Sequence, residues 1–316
     1  GSIGAQDNEE TGASFFFELP LRQEPEEIIC EPKAYLNELM MDDNSGQPSA
    51  KEVFDTTPYT ILVVDDNPDM TDFLKRTFEG YFKRIIIAGD GVEALQLVRS
   101  HVPDIIVSDV MMPRMNGYEL CKTIKEDIAI SHIPVILLTA KDDKQSLISG
   151  YKNGADGYLS KPFEVEMLME LIRNRLKNRE YTKKRYLNAG LIPTPEESTI
   201  SLTDETFLIK LNSIIQENIE NSNLGIQFIC QEVGLGRSSL YNKLKALTGM
   251  GANEYISKLR IEKAITLISG TDMPFSEIAE KTGFTTPSYF STTFKQYTGE
   301  TPSQYKERKK KGLTDQ

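Results

Sequence analysis

Tyr59-Thr60-Ile61-Leu62-Val63-Val64-Asp65-Asp66-Asn67-Pro68 is an apolar run that stops on two carboxylates. Four consecutive aliphatic residues without a polar alternate are the mark of a strand covered on both faces. Four similar runs follow, at Ile85 to Ala88, Ile105 to Val107, Val135 to Leu138 and Gly157 to Leu159. Between them lie stretches with helical spacing, such as Phe73-Leu74-Thr77-Phe78, Val92-Leu95-Val98 and Leu168-Leu171-Ile172. Strict alternation predicts an α/β domain over residues 58–178: a five-stranded, parallel, doubly wound sheet whose site lies beyond the C-terminal strand ends.

Chemistry collects at those ends. Asp65 and Asp66 follow the first strand, Asp109 the third, Thr139 the fourth and Lys161 the fifth. Taken singly each has a plain reading: Asp66 before Pro68 would cap a helix, Thr139 would end a strand, and Lys161 would be a solvated charge. Together they put three carboxylates in one spot, where a like-charge pair about 4 Å apart costs roughly 4 kcal/mol at an effective dielectric of 20. A hard divalent cation with oxygen ligands relieves that repulsion, and Mg2+, which keeps several waters, suits so few carboxylates. The ammonium and the hydroxyl are the groups wanted around a phosphoryl group.

Four blocks carry a family resemblance: Val63-Val64-Asp65-Asp66-Asn67, Asp109-Val110-Met111-Met112-Pro113-Arg114-Met115-Asn116-Gly117, Leu138-Thr139-Ala140 and Tyr158-Leu159-Ser160-Lys161-Pro162-Phe163. In this order and spacing, residues 59–178 resemble the receiver domain of two-component response regulators. The resemblance implies that Asp109 accepts a phosphoryl group from a phosphohistidine of a histidine kinase. It implies that Asp65, Asp66, Asp109 and the backbone carbonyl of Met111 hold Mg2+. Lys161 and Thr139 would bind the phosphoryl oxygens and Tyr158 would be the aromatic switch. Movement of Thr139 would let Tyr158 turn inward and reshape the face of the fourth helix, fifth strand and fifth helix, through which the active form is expected to become a homodimer.

The C-terminal region is helical in pattern and contains a repeat. In one copy Cys230 is followed by Gly234, Leu235, Leu240, Leu244-Lys245, Thr248-Gly249 and Tyr255; in the other Ala279 is followed by Gly283, Phe284, Phe290, Phe294-Lys295, Thr298-Gly299 and Tyr305. A small residue on a first helix, a glycine at the turn and apolar residues four apart on a second helix describe a helix-turn-helix unit. Two copies predict an all-α domain with two such units.

Residues 207–311 resemble the DNA-binding domain of AraC-type regulators, most closely along Gly283-Phe284-Thr285-Thr286-Pro287-Ser288-Tyr289-Phe290 and Thr298-Gly299-Glu300-Thr301-Pro302. Residues 252–268 would be the helix joining the units, with Leu259, Ala264 and Leu267 inward; Arg260 resembles a position that family usually fills with Arg. On the first recognition helix Leu240, Leu244 and Leu247 face the core, so Arg237, Ser238, Tyr241, Asn242 and Lys245 point outward. On the second Phe290 and Phe294 face inward, leaving Pro287, Ser288, Tyr289, Ser291, Thr292 and Lys295. Outward Asn, Ser and Thr read base edges of double-stranded DNA, while Lys and Arg mostly touch phosphates. The run Arg308 to Lys311 reads as a solvated end.

The net charge of −11 is unevenly spread: 3 basic against 13 acidic side chains in residues 1–57, but 18 against 16 in residues 179–316. Charge therefore permits nucleic acid as a partner without arguing for it. Residues 12–20, Gly12-Ala13-Ser14-Phe15-Phe16-Phe17-Glu18-Leu19-Pro20, read as a short aromatic strand lacking a nearby partner, and residues 1–20 resemble the last strand of a sensor kinase's ATP-binding domain. Residues 21–57 form an acidic linker with one short helix near Ala34 to Met41, and residues 179–206 a polar connector. Three scattered cysteines, no membrane span and no signal peptide predict a cytoplasmic location without membrane contact in this segment. Only His101 and His132 are present, neither in a kinase-like context. The phosphodonor therefore lies elsewhere; the resemblance of residues 1–20 and the acidic linker imply a longer hybrid histidine kinase polypeptide, which would itself be anchored in the inner membrane.

The whole reads as a phosphorylation-dependent transcription regulator and not an enzyme. A phosphatase with Asp109 as nucleophile would need a second carboxylate two residues on, where Met111 stands. A receiver acting only through protein contacts would not need the duplicated helical unit.

Overall fold

The computed structural model describes residues 2–7, 13–18, 54–140, 154–188 and 201–314. Residues 1–53 form one unit and residues 54–316 another. In the first, β1 (Ser2–Asp7) pairs antiparallel with β2 (Ala13–Glu18), Ser2 opposite Glu18 and Asp7 opposite Ala13. This corrects the expectation of an unpartnered aromatic strand: the partner is the segment just before it. The helix expected near Ala34 to Met41 lies outside the described residues.

The second unit opens with the α/β domain. Its strands β3 (Thr60–Val64), β4 (Arg84–Ala88), β5 (Ile105–Asp109), β6 (Val135–Ala140) and β7 (Gly157–Lys161) form one sheet in the order β4-β3-β5-β6-β7, parallel throughout. Strand order reverses at β3, so the crevice of the doubly wound fold opens between the ends of β3 and β5. Helices α1 (Pro68–Phe78), α2 (Gly91–His101), α3 (Gly117–Glu126) and α4 (Val165–Asn188) cover both faces. Ile61 and Val63 pack with Leu74, Phe78, Leu168 and Ile172 on one side, and Leu62 and Val64 with Ala94, Val98, Leu120 and Ile124 on the other. One residue of register thus separates the two cores, as a two-sided strand requires.

Seven helices follow: α5 (Leu202–Glu217), α6 (Ile226–Val233), α7 (Arg237–Thr248), α8 (Ala252–Gly270), α9 (Phe275–Lys281), α10 (Pro287–Thr298) and α11 (Pro302–Thr314). They build two cores. Phe207, Leu211, Ile229, Leu240, Leu244 and Tyr255 belong to one; Ile278, Phe284, Phe290 and Phe294 belong to the other. Helix α8 joins both, Tyr255, Ile256 and Leu259 facing the first core and Ile261, Ala264 and Ile268 the second. Leu267 is partly buried and packs against the second core beside the buried Ile268.

The polar connector expected at residues 179–206 is shorter than that. Helix α4 continues to Asn188 and α5 begins at Leu202. Tyr186, near the end of α4, is buried in the first helical core, an anchor that a reading by polarity alone passes over. No described helix is long and apolar enough to cross a membrane.

Candidate functional site

The end of β3 carries Asp65 and Asp66, and β5 ends on Asp109. Because β3 and β5 are neighbours in the sheet, one carboxylate oxygen from each of the three aspartates lies within 4.8 Å of the others. Asp65 and Asp109 are buried while Asp66 is exposed. Lys161 Nζ donates to Asp65 Oδ2 at 2.9 Å and pairs with Asp109 Oδ1 at 2.8 Å. Burial pushes the Asp109 carboxyl above its ordinary pKa, an effect the Lys161 ammonium opposes and the Asp65 charge reinforces. Burial acts to lower the Lys161 pKa, but its hydrogen bonds and charge attraction to Asp109 and Asp65 outweigh that, and the ammonium is held above its usual value.

Three of these residues lie inside strands rather than after them. Asp109 is the last residue of β5, Thr139 lies in β6 opposite Ser160, and Lys161 ends β7 opposite Ala140. The ladder continues one or two residues past each apolar run, so these side chains hang on rigid backbone. Asp66 does not cap α1; Asn67 does, accepting from the Asp69 N–H at 2.9 Å. Asp65 Oδ1 accepts from the Asn67 N–H at 2.9 Å, which orients the first carboxylate. Thr139 is buried, Tyr158 on β7 is half-buried, and Met111 is 73% exposed on the loop beyond Asp109. Gly117 closes that loop: a Cβ there would lie 2.2 Å from the carbonyl oxygen of Asp109.

In the helical domain the two repeat copies superpose in kind. Gly234 and Gly283 both sit at the turn with φ near 74° and 71°, and Gly249 and Gly299 both end their second helices with positive φ. Leu240, Leu244, Leu247, Phe290 and Phe294 are buried. On α7, Arg237, Ser238, Tyr241 and Lys245 are exposed and Asn242 is half-buried; on α10, Pro287, Ser288, Tyr289, Thr292 and Lys295 are exposed and Ser291 is half-buried. Arg237 Nη2 also donates to Gln227 at 3.2 Å, and the Thr292 hydroxyl donates back to the Ser288 carbonyl at 3.1 Å. Arg308 is not simply solvated: it pairs with Glu300 at 2.7 Å and lies over the Tyr305 ring.

A buried polar seam between the two domains was not anticipated. Lys243, on the inward face of α7, is fully buried and paired with Asp204 at the start of α5. The Ser131 hydroxyl, between α3 and β6, donates to Asp204 Oδ1 at 2.7 Å and lies 2.8 Å from Lys243 Nζ. Thr203 donates to the Lys125 carbonyl at 3.2 Å, and Lys258 of α8 donates to the carbonyls of Tyr186 and Leu187 at the end of α4. A signal for Lys243 exists in the sequence, since it lies three residues after Leu240 and four before Leu247, on the apolar face. Its partner Ser131 is 112 residues away, and nothing local points there. With this seam formed, Tyr241 remains 54% and Tyr289 53% exposed.

Two families match the chain: "Response regulator receiver domain" over residues 61–173 and "Helix-turn-helix domain" over residues 229–308. Histidine kinase P4 of Formosa agariphila is 41% identical over 249 residues, which are 79% of this chain and 18% of that protein. Response regulator MprA of Mycobacterium sp. is 36% identical over 165 residues, 48% of this chain and 70% of that protein. The receiver domain of the Francisella response regulator 1452 matches at 35% identity with a TM-score of 0.36, covering 38% of this chain and 98% of that one. The chain spans less than a fifth of the length of the kinase it matches. The two family matches and the likeness to response regulator MprA, with the pocket and the duplicated helical unit, show that the chain belongs to the response regulators, as a receiver domain joined to an AraC-type helix-turn-helix domain.

Proposed function

We propose that the chain is a phosphorylation-controlled transcription regulator in which Asp109 accepts a phosphoryl group and the change is passed to two helix-turn-helix units on double-stranded DNA. The observation that carries this reading is the convergence of Asp65, Asp66 and Asp109 within 4.8 Å, with Lys161 bridging two of them. The donor set is all oxygen, which fits a hard divalent cation. Asp65, Asp66, Asp109 and the Met111 carbonyl would hold Mg2+, which when bound supplies positive charge against the transferring phosphoryl group.

A carboxylate oxygen of Asp109 attacks phosphorus, the P–N bond to the donor imidazole breaks, and the imidazole leaves with the electron pair. Lys161, already 2.8 Å from Asp109, is placed to pair with the new phosphoryl oxygens, and Thr139 to donate a hydrogen bond to them. Thr139 drawn towards the phosphoryl group leaves room for Tyr158 to turn inward. The altered face then supports a homodimer, and equal sedimentation of modified and unmodified protein would count against that step. The outward residues of α7 and α10 are open with the receiver seated against the helical domain. This favours dimerisation or a change of helix placement over simple uncovering of Tyr241 or Thr292.

The donor is a histidine kinase, and the likeness to a much longer kinase supports a hybrid polypeptide in which residues 1–20 end the kinase's ATP-binding domain. On this reading residues 21–57 link it to a receiver at 58–178, with the DNA-binding domain extending to residue 311 and acting in the cytoplasm. Acetyl phosphate with Mg2+ should add one phosphoryl group to the protein by intact mass, and Asp109→Asn should remain unmodified. Modification of both alike, or of neither, overturns the assignment.

A further inference from the structure

Among the contacts between the two helix-turn-helix units, the one at Arg260 is not explained by their repeated sequence. Arg260 lies on α8 where its buried face passes from the first core to the second. Its guanidinium Nη2 donates to the Asn221 carbonyl at 2.7 Å, in the connection between α5 and α6 of the first unit. The same group lies 6.0 Å from the ring centroid of Phe284, just past the turn of the second unit. Gly283, at that turn, has φ 71°, and a Cβ on it would lie 2.2 Å from the Ile219 carbonyl oxygen and 2.9 Å from the Arg260 guanidinium.

The turn of the second unit therefore rests on the backbone of the first, with one buried cation between them. Phe284 passes the contact to the second recognition helix, its ring centroid 5.7 Å from that of Tyr289. A second tie closes the other end of α10, where the Tyr297 hydroxyl donates to the Glu254 carbonyl on the first turn of α8 at 2.9 Å. A planar guanidinium can donate along its edge while its face meets a ring, which an ammonium cannot do.

We propose that Arg260 is a positioning residue that fixes the separation and rotational phase of α7 and α10, and so sets the spacing between the two DNA segments the protein accepts. The inference rests on the reading that both helices enter DNA. Successive major-groove segments on one face lie about 34 Å apart, and each inserted base pair turns the second segment by roughly 34°. A locked pair of helices cannot follow that rotation. A loosened pair can.

The test uses the full chain and a duplex selected from a random pool by the wild-type protein, with the two contacted segments mapped by footprinting. Affinities are compared for that duplex, for versions with one base pair added between the segments, and for a duplex keeping only the first segment. The insertion should weaken wild-type binding on the order of 30-fold, comparable to one or two mismatched positions. For Arg260→Met the same insertion should cost less than about 5-fold, with unchanged affinity for the first segment alone, and Arg260→Lys should fall between. A folded Arg260→Met that keeps the full insertion penalty, or that weakens on every duplex equally, overturns the proposal. Should Arg260→Met fail to fold, Phe284→Leu removes the aromatic face while keeping the Asn221 hydrogen bond, and its insertion penalty decides in the same way. Wild-type binding that ignores the insertion sinks this inference alone, whereas a wild-type chain that selects no duplex sinks the DNA-binding reading.

Discussion

Lys243 shows what a single side chain does in this structure. Its ammonium is fully buried against Asp204 and Ser131, and burial lowers its pKa against the pull of the Asp204 charge. Removing one member of a buried ion pair strands the other, at about 3–5 kcal/mol, whereas replacing both by apolar groups is far milder. Lys243→Met should therefore lose about 3–5 kcal/mol in urea unfolding, and Lys243→Met with Asp204→Leu should recover most of it. A double variant as weak as the single one would show that the pair is not the source. His132 is buried beside it, with neither ring nitrogen hydrogen-bonded among the described residues. Burial first, then the charges of Arg179, Lys243, Lys125 and Lys183, hold its pKa well below 6.5. The folded protein keeps this imidazole neutral while the unfolded chain protonates near its ordinary pKa. Its stabilising contribution is thus complete above pH 6.5 and is lost as pH falls below it, at up to about 1.4 kcal/mol per pH unit. His132→Leu should flatten that slope, and an unchanged slope would assign the titration elsewhere. The pocket residues were legible because each ends an apolar run in a fold whose strand ends must converge. The seam was not, because it pairs groups from two domains through burial alone.

At the scale of elements, α4 departs most from what polarity suggests. Its first half packs Leu168, Ile172 and Leu176 under the sheet, and its last turns carry Tyr186 into the core of the first helix-turn-helix unit. One helix thereby belongs to both domains, and the sequence conceals this because residues 179–185 are mostly charged. Tyr186→Ala should cost about 3–5 kcal/mol, as for other large buried rings, and should separate a single thermal unfolding transition into two. A shift of both domains together, without separation, would mean that α4 does not couple them through this ring. Strands were legible to within two residues at each end. Their extra residues are ladder positions occupied by Asp109, Thr139 and Lys161, polar side chains that break an apolar run without ending the hydrogen bonding. Gly117 marks a tight junction, where α3 starts against β5, so Gly117→Ala should displace the Asp109 loop and weaken Mg2+-dependent modification more than it lowers stability. Unchanged modification would show that the loop absorbs the methyl group.

Within residues 54–316 the acidic pocket and the outward residues of α7 and α10 belong to different domains. The acidic pocket lies at the C-terminal edge of the sheet, while the seam with α5 and α7 includes Ser131, in the segment leading into β6. Helix α4 and strand β6 thus run between the pocket side and the DNA-binding domain, giving a physical route by which one could bias the other. A coupling of typical size, about 1–3 kcal/mol, changes an affinity roughly 5-fold to 150-fold. The most direct measurement is the affinity of the full chain for a selected DNA duplex, with and without beryllofluoride in the presence of Mg2+, for the wild type and for Asp109→Asn. The wild-type affinity should change by at least about 5-fold on adding beryllofluoride while that of Asp109→Asn stays constant. No change in the wild type, or the same change in both proteins, would contradict the claim that Asp109 controls DNA binding.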